Sequence, residues 1–152
     1  MKKTILTILL CGVMVLGITG CGNSKNQFDV GGKSDIKISQ SDVTLTIKDG
    51  TLKNTGATLI LKNNSNKNFQ YGNPYEIEIK KDGEWHHINV ELNFTMPIYG
   101  IKPGESNEIE INWKHGYGKL ASGTYRIIKG IDYEYEEGKY ENFNVAVEFT
   151  IK

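Results

Sequence analysis

The chain has 152 residues, with 18 basic and 18 acidic side chains, 38% hydrophobic, 10% aromatic and 24% charged residues. That is the length of one domain, with enough apolar residues for a core and too few for several membrane spans. Zero formal net charge argues against a nucleic-acid partner, which calls for a basic excess or stripe.

The first twenty-one residues stand apart from the fold. Met1-Lys2-Lys3 places positive charge at the N-terminus, and Ile5 to Ile18 is an almost unbroken apolar run. The run is short for a membrane-spanning helix, which needs about 20 apolar residues, but it suits the apolar region of a secretory leader. It ends in Leu16-Gly17-Ile18-Thr19-Gly20-Cys21. Small residues directly before a cysteine resemble the bacterial lipobox, in which the sulfur receives diacylglycerol and the cysteine becomes the first mature residue. The plainer alternative is an ordinary leader with an incidental cysteine. Residues 1–20 are thus read as a lipoprotein signal peptide and Cys21 as the lipidation site. Cleavage removes Lys2, Lys3 and Cys11, which tips the net charge to about −2. With Cys21 lipidated no intramolecular disulfide is possible, so the core alone must stabilise the domain. Two acyl chains give stable anchoring where one gives marginal binding. The expected location is the cell membrane, lipid-anchored and facing the extracytoplasmic side.

Residues 22–41 are polar and rich in Gly, Ser, Asn and Lys, without a sustained period. With Cys21 they read as a flexible tether spanning 21–41, with a root-mean-square reach of roughly 25 Å. An edge strand at Asp35–Ser39 is the alternative.

From residue 42 to 152 the period is two. Val43, Leu45 and Ile47 alternate with polar residues up to an Asp49-Gly50 turn. A turn at Asn54-Thr55-Gly56 precedes Ala57, Leu59 and Leu61, and Lys62 to Asn68 reads as a loop. Tyr75, Ile77 and Ile79 alternate with Glu76, Glu78 and Lys80, and Asp82-Gly83 turns the chain into Trp85–Val90. Pro103-Gly104 is the next turn, before Ile109, Ile111 and Trp113. Tyr125, Ile127 and Ile131 mark a further strand, and Phe143, Val145, Val147, Phe149 and Ile151 share one face of the last. About seven strands, each with a wet and a dry face, predict an all-β antiparallel sandwich, with a closed barrel as the alternative.

Leu120-Ala121-Ser122-Gly123-Thr124-Tyr125 leads into a strand in the manner of a tyrosine corner, the ring in the core and the hydroxyl bonded to upstream backbone. Tyr125 and Trp113 are the predicted structural residues of the core. An ordinary half-buried strand tyrosine is the alternative for Tyr125. The chain also resembles the bacterial immunoglobulin-like domains of exported lipoproteins from Gram-positive bacteria. The resemblance rests on Leu61-Lys62-Asn63-Asn64-Ser65, Tyr71-Gly72, Asp82-Gly83-Glu84-Trp85, Trp113 and Tyr117-Gly118-Lys119-Leu120. It continues through Gly123-Thr124-Tyr125-Arg126-Ile127 and Ala146-Val147-Glu148-Phe149, and spans roughly residues 42–152. It implies an immunoglobulin-like fold, no established activity and no catalytic residues. The inter-sheet cysteine pair of antibody domains is missing.

Little in the chain points to catalysis. His86 and His87 suggest metal ligands, but adjacent strand residues point to opposite faces and cannot close on one ion. Gly116-Tyr117-Gly118 opens no helix and reads as a turn rather than a phosphate loop. No Gly-x-Ser-x-Gly, His-Glu-x-x-His or EF-hand pattern is present. Neither a cofactor nor a metal is predicted. The unusual segment is Ile131 to Glu141, where Asp132, Glu134 and Glu136 share one strand face and Tyr133 and Tyr135 the other, with Glu137-Gly138-Lys139 at the hairpin tip. It reads either as a solvated acidic edge that deters sheet-to-sheet pairing or as a partner-binding loop at the end of a sandwich. A Ca²⁺ site on the three acids lacks the spacing of an established one.

The function expected is a non-catalytic binding or adhesion module, held on the membrane by lipid and facing a protein or cell-wall partner. A structural, envelope-maintenance role without a specific ligand is one alternative. An inhibitor or carbohydrate-binding module using exposed tyrosines and Trp85 is another.

Overall fold

The structure, a computed structural model, describes residues 28–39 and 42–152. The leader at 1–20 and the lipid-acceptor reading of Cys21 lie outside the described residues. Within them the chain forms ten strands: β1 (Asp29–Lys33), β2 (Val43–Ile47), β3 (Gly56–Asn63), β4 (Phe69–Gly72), β5 (Glu76–Lys81), β6 (Glu84–Asn89), β7 (Ile98–Ile101), β8 (Ser106–Asn112), β9 (Gly123–Glu136) and β10 (Lys139–Ile151). Seven of these are the runs that alternation predicts. The other three, β1, β4 and β7, are short, and their Asp-Val-Gly-Gly-Lys, Phe-Gln-Tyr-Gly and Ile-Tyr-Gly-Ile sequences carry no sustained period. Pairing makes them strands: Val30 sits opposite Ile88, and Phe69 opposite Ile101.

Two antiparallel sheets pack face to face as an immunoglobulin-like β-sandwich. The larger runs β1-β6-β5-β9-β4-β7, with β10 on the other edge of β9, and the smaller runs β2-β3-β8. The 14-residue β9 serves two neighbours in succession along one edge, β5 over residues 125–128 and β4 at Asp132. Its other edge pairs with β10 from Gly123 to Glu136. Tight turns fix the register: Asp82 and Gly83 both have positive φ, at 50° and 82°, as a two-residue hairpin of the primed type requires.

The core lies between the sheets. Val43, Leu45, Ala57, Leu59, Leu61 and Ile111 come from the smaller sheet, and Ile77, Ile79, Tyr125, Ile127, Ile131, Val145 and Phe149 from the larger. Phe149 packs on Tyr125 at 5.6 Å and on Trp113 at 5.7 Å between ring centres. Both partners are fully buried, so their polar atoms need protein acceptors. The Tyr125 hydroxyl donates to the Ala121 carbonyl at 2.9 Å, and the Trp113 indole N–H to the Asn54 carbonyl at 2.9 Å.

The stretch read as a tether is ordered from residue 28 to 39, and its strand is at Asp29–Lys33 rather than at Asp35–Ser39. After β1, residues 34–39 cross the outer face of the larger sheet. Ser34 N–H donates to the Trp85 carbonyl on β6 at 2.8 Å, and Ser39 N–H to the Asn144 carbonyl on β10 at 2.9 Å. This strap encloses polar residues on a sheet face that alternation alone assigns to water.

Candidate functional site

The β9–β10 hairpin outruns the sheet that carries it. Beyond Asp132, opposite Gln70, the pairing continues to Glu136 and Lys139 with β10 as partner. Gly138 closes the tip at φ 71°, a backbone geometry that disfavours other residues. The five predicted surface residues divide along this extension. Asp132 is half-buried and accepts from the Asn142 side-chain amide at 2.8 Å. Tyr133 is half-buried, packs on Phe69 at 5.6 Å, and lies 4.3 Å beneath the Lys67 ammonium. Glu134 accepts from the Gly138 N–H at 2.8 Å, and Glu136 pairs with Lys139. Tyr135 is 52% exposed, and Tyr140, on the returning strand and outside the predicted five, is 51% exposed.

At the tip, therefore, two open aromatic rings stand among the exposed carboxylates of Glu134, Glu136, Glu137 and Glu141, with Lys139 as the counter-charge. Tyrosines offer contact area at low entropic cost, and an excess of exposed acids attracts and orients a basic partner. At the base of the hairpin a groove of about 320 Å³ runs between Lys67, Phe69, Tyr133 and Phe143.

A second cluster sits under the strap, on the outer face of β5, β6 and β9. Register places Glu78 opposite both His87 and Arg126. Glu78 is fully buried, and its Oε2 accepts from Arg126 Nε at 2.6 Å. The guanidinium also stacks 4.7 Å from the Trp85 ring. His87 Nδ1 is 2.7 Å from Glu76 Oε1 and 3.6 Å from Glu78 Oε1, while its Nε2 faces Asp35 of the strap at 3.9 Å. The hydrogen bond to Glu76 raises the His87 pKa against the cost of burial, helped by the charges of Glu76, Glu78 and Asp35. His86 points away, with Nδ1 3.3 Å from the Gly31 carbonyl. Alternation places Glu76 and Glu78 in water and gives no sign of the strap, so of this cluster only His87 stands out in the sequence, and there as half of a histidine pair that the structure splits.

Lys129 is the third unusual group. It shares the inward face of β9 with Tyr125, Ile127 and Ile131 and is fully buried. Its ammonium donates to the carbonyls of Gly72, Asn73 and Pro74 at 2.6, 3.3 and 2.9 Å, which pins the β4–β5 connection to β9. Burial pushes its pKa down to about 8.

A family model described as a bacterial Ig-like domain matches residues 39–150. No curated protein and no solved structure matches the chain.

Proposed function

The chain belongs to the bacterial Ig-like domain family, and from that premise we propose that it is a lipid-anchored, extracytoplasmic binding module that uses its hairpin tip. Such a domain is generally a binding or adhesion unit, and the observation that carries the specific reading is the pair of exposed rings, Tyr135 and Tyr140, amid four carboxylates. Exposed tyrosines at a projecting hairpin tip offer contact area at low entropic cost. The charge balance favours a basic face on a protein or cell-wall partner. The leader, its small residues and Cys21 support anchoring on the outer side of the membrane. The module is non-catalytic in this reading.

Two measurements test it. Changing both Tyr135 and Tyr140 to Ser is expected to abolish retention of cell-envelope material while leaving the unfolding midpoint in place. Undiminished retention would remove the tip from the proposal. Cys21→Ser is expected to move the protein from the membrane fraction to the soluble one. Persistent membrane partitioning at unchanged mass would end the lipid-anchor reading.

A further inference from the structure

The outer-face cluster has an acceptor and negative charge beyond what its neighbours among the described residues satisfy. Among the described residues, Glu78 Oε1 is buried and accepts no hydrogen bond, although its sister oxygen is held by Arg126. A buried carboxylate oxygen without a partner costs the full desolvation of that atom. The oxygen is aimed at His87 Nδ1, which in turn meets Glu76 Oε1. One ligand atom from each of Glu76, Glu78 and His87 falls within 4.8 Å of the others.

We propose that Glu76, Glu78 and His87 form a binding site for a first-row divalent metal ion of the Zn²⁺ type. The donor chemistry is one imidazole and two carboxylates, a set that suits zinc and its neighbours better than Ca²⁺ or Mg²⁺, which take oxygen alone. The spacing agrees. Ligands about 2.0–2.2 Å from a tetrahedral ion lie roughly 3.4 Å apart. The His87 contacts, at 2.7 and 3.6 Å, bracket that value. Charge agrees as well: Glu76 and Glu78 carry two negative charges against one on Arg126, so the cluster is net negative. Asp35 lies 3.9 Å from the other ring nitrogen of His87, a nearby negative charge rather than a hydrogen-bond partner. Glu76 and His87 also line an open groove of about 420 Å³, so two of the three ligands are reachable from solvent. Binding would exchange the His87–Glu76 hydrogen bond for two metal bonds and give the second Glu78 oxygen a partner. The sequence pattern Glu-x-Glu on one strand and His on its hairpin partner carries no recognised metal spacing.

The test is titration of the full chain with zinc chloride, using Cys11→Ser and Cys21→Ser to remove competing thiols. One ion is expected per chain, with affinity falling at acid pH, since only neutral imidazole and ionised carboxylates coordinate. His87→Ala and Glu76→Gln should each weaken binding on the order of 100-fold, and Asp35→Asn by about 10-fold or less. His86→Ala and His115→Ala should leave it unchanged. Substituted Co²⁺ should give the visible bands of a four-coordinate nitrogen–oxygen site in the otherwise unaltered chain, a reading that does not depend on any ligand variant folding. Failure to bind zinc stoichiometrically, survival of binding in a folded His87→Ala chain, or displacement of the ion by millimolar Ca²⁺ or Mg²⁺ would each overturn the proposal.

Discussion

The two halves of the β9–β10 hairpin are built from similar alternating sequence, yet they do opposite things. At the root, Tyr125, Ile127, Lys129 and Ile131 all turn into the core, and every polar atom among them has an internal partner. At the tip, Tyr135, Glu136, Glu137 and Tyr140 face water. The difference lies in what else is paired. The root is flanked by β5 and β4 and covered by the smaller sheet, whereas among the described residues the tip pairs only with its own return strand. Strand propensity is therefore shared along the hairpin, and burial is decided by neighbours.

The largest expected effect comes from breaking the root. Trp113 is fully buried against Phe149 of β10, so Trp113→Ala should destabilise the domain by about 3–5 kcal/mol in urea unfolding. A near-zero change would mean that the root is as loosely held as the tip.

Lys129 gives a pH signature that the tip lacks. Its pKa falls from 10.5 to about 8 on folding because burial disfavours the ammonium. Between those values the unfolded chain holds a proton that the folded chain has released, so the unfolded state binds more protons and stability rises with pH. Below about pH 8 both states are protonated and the cost of burying the charge is present in full. Measured against Lys129→Met, wild-type stability should therefore gain by up to ~3 kcal/mol between pH 8 and 10.5. A flat difference would show that the three carbonyls hold the ammonium charged throughout.

A single atom at the root tests its polar closure. Tyr125→Phe removes the donor to the Ala121 carbonyl and keeps the ring, so a loss of about 1–2 kcal/mol is expected. An unchanged midpoint would show that water replaces the hydroxyl at this corner.

Legibility in the sequence follows the same divide between local pattern and pairing. The long strands announce themselves because each carries several apolar residues at period two. Tyr125 and Trp113 are legible for a similar reason, as large rings set at strand ends beside Gly-rich turns. β4 and β7, by contrast, are four-residue strands that exist because Phe69 and Ile101 meet, a contact across more than thirty positions. The burial of Glu78 is hidden more deeply. It requires the strap at 34–39, which reads as polar tether, to cross the sheet, and Arg126, which reads as a wet-face residue, to turn beneath it. Likewise Lys129 sits in phase with the core residues of β9, where its charge argues against burial until the three carbonyls are seen.

The smallest effects locate the boundary between root and tip. Tyr133 and Tyr135 sit on the same strand face two residues apart, and by alternation they are equivalent. Tyr133, however, packs on Phe69, which also meets Phe143 at 5.6 Å, and carries Lys67 above its ring. Tyr135 contacts the Tyr133 ring only at 6.5 Å and keeps half its surface in water. An aromatic pair contributes about 0.5–1.5 kcal/mol beyond its area, and an exposed cation–ring contact about 0.5–1 kcal/mol. Tyr133→Ser should thus lower stability by about 1–2 kcal/mol, while Tyr135→Ser should stay within about 0.5 kcal/mol of wild type. Urea midpoints of the two single variants, taken side by side, read this directly. Equal losses would extend the core to the end of the hairpin and leave Tyr140 as the tip's free ring. Equal indifference would move the boundary back to Ile131, and Phe69 would then belong to the surface as well.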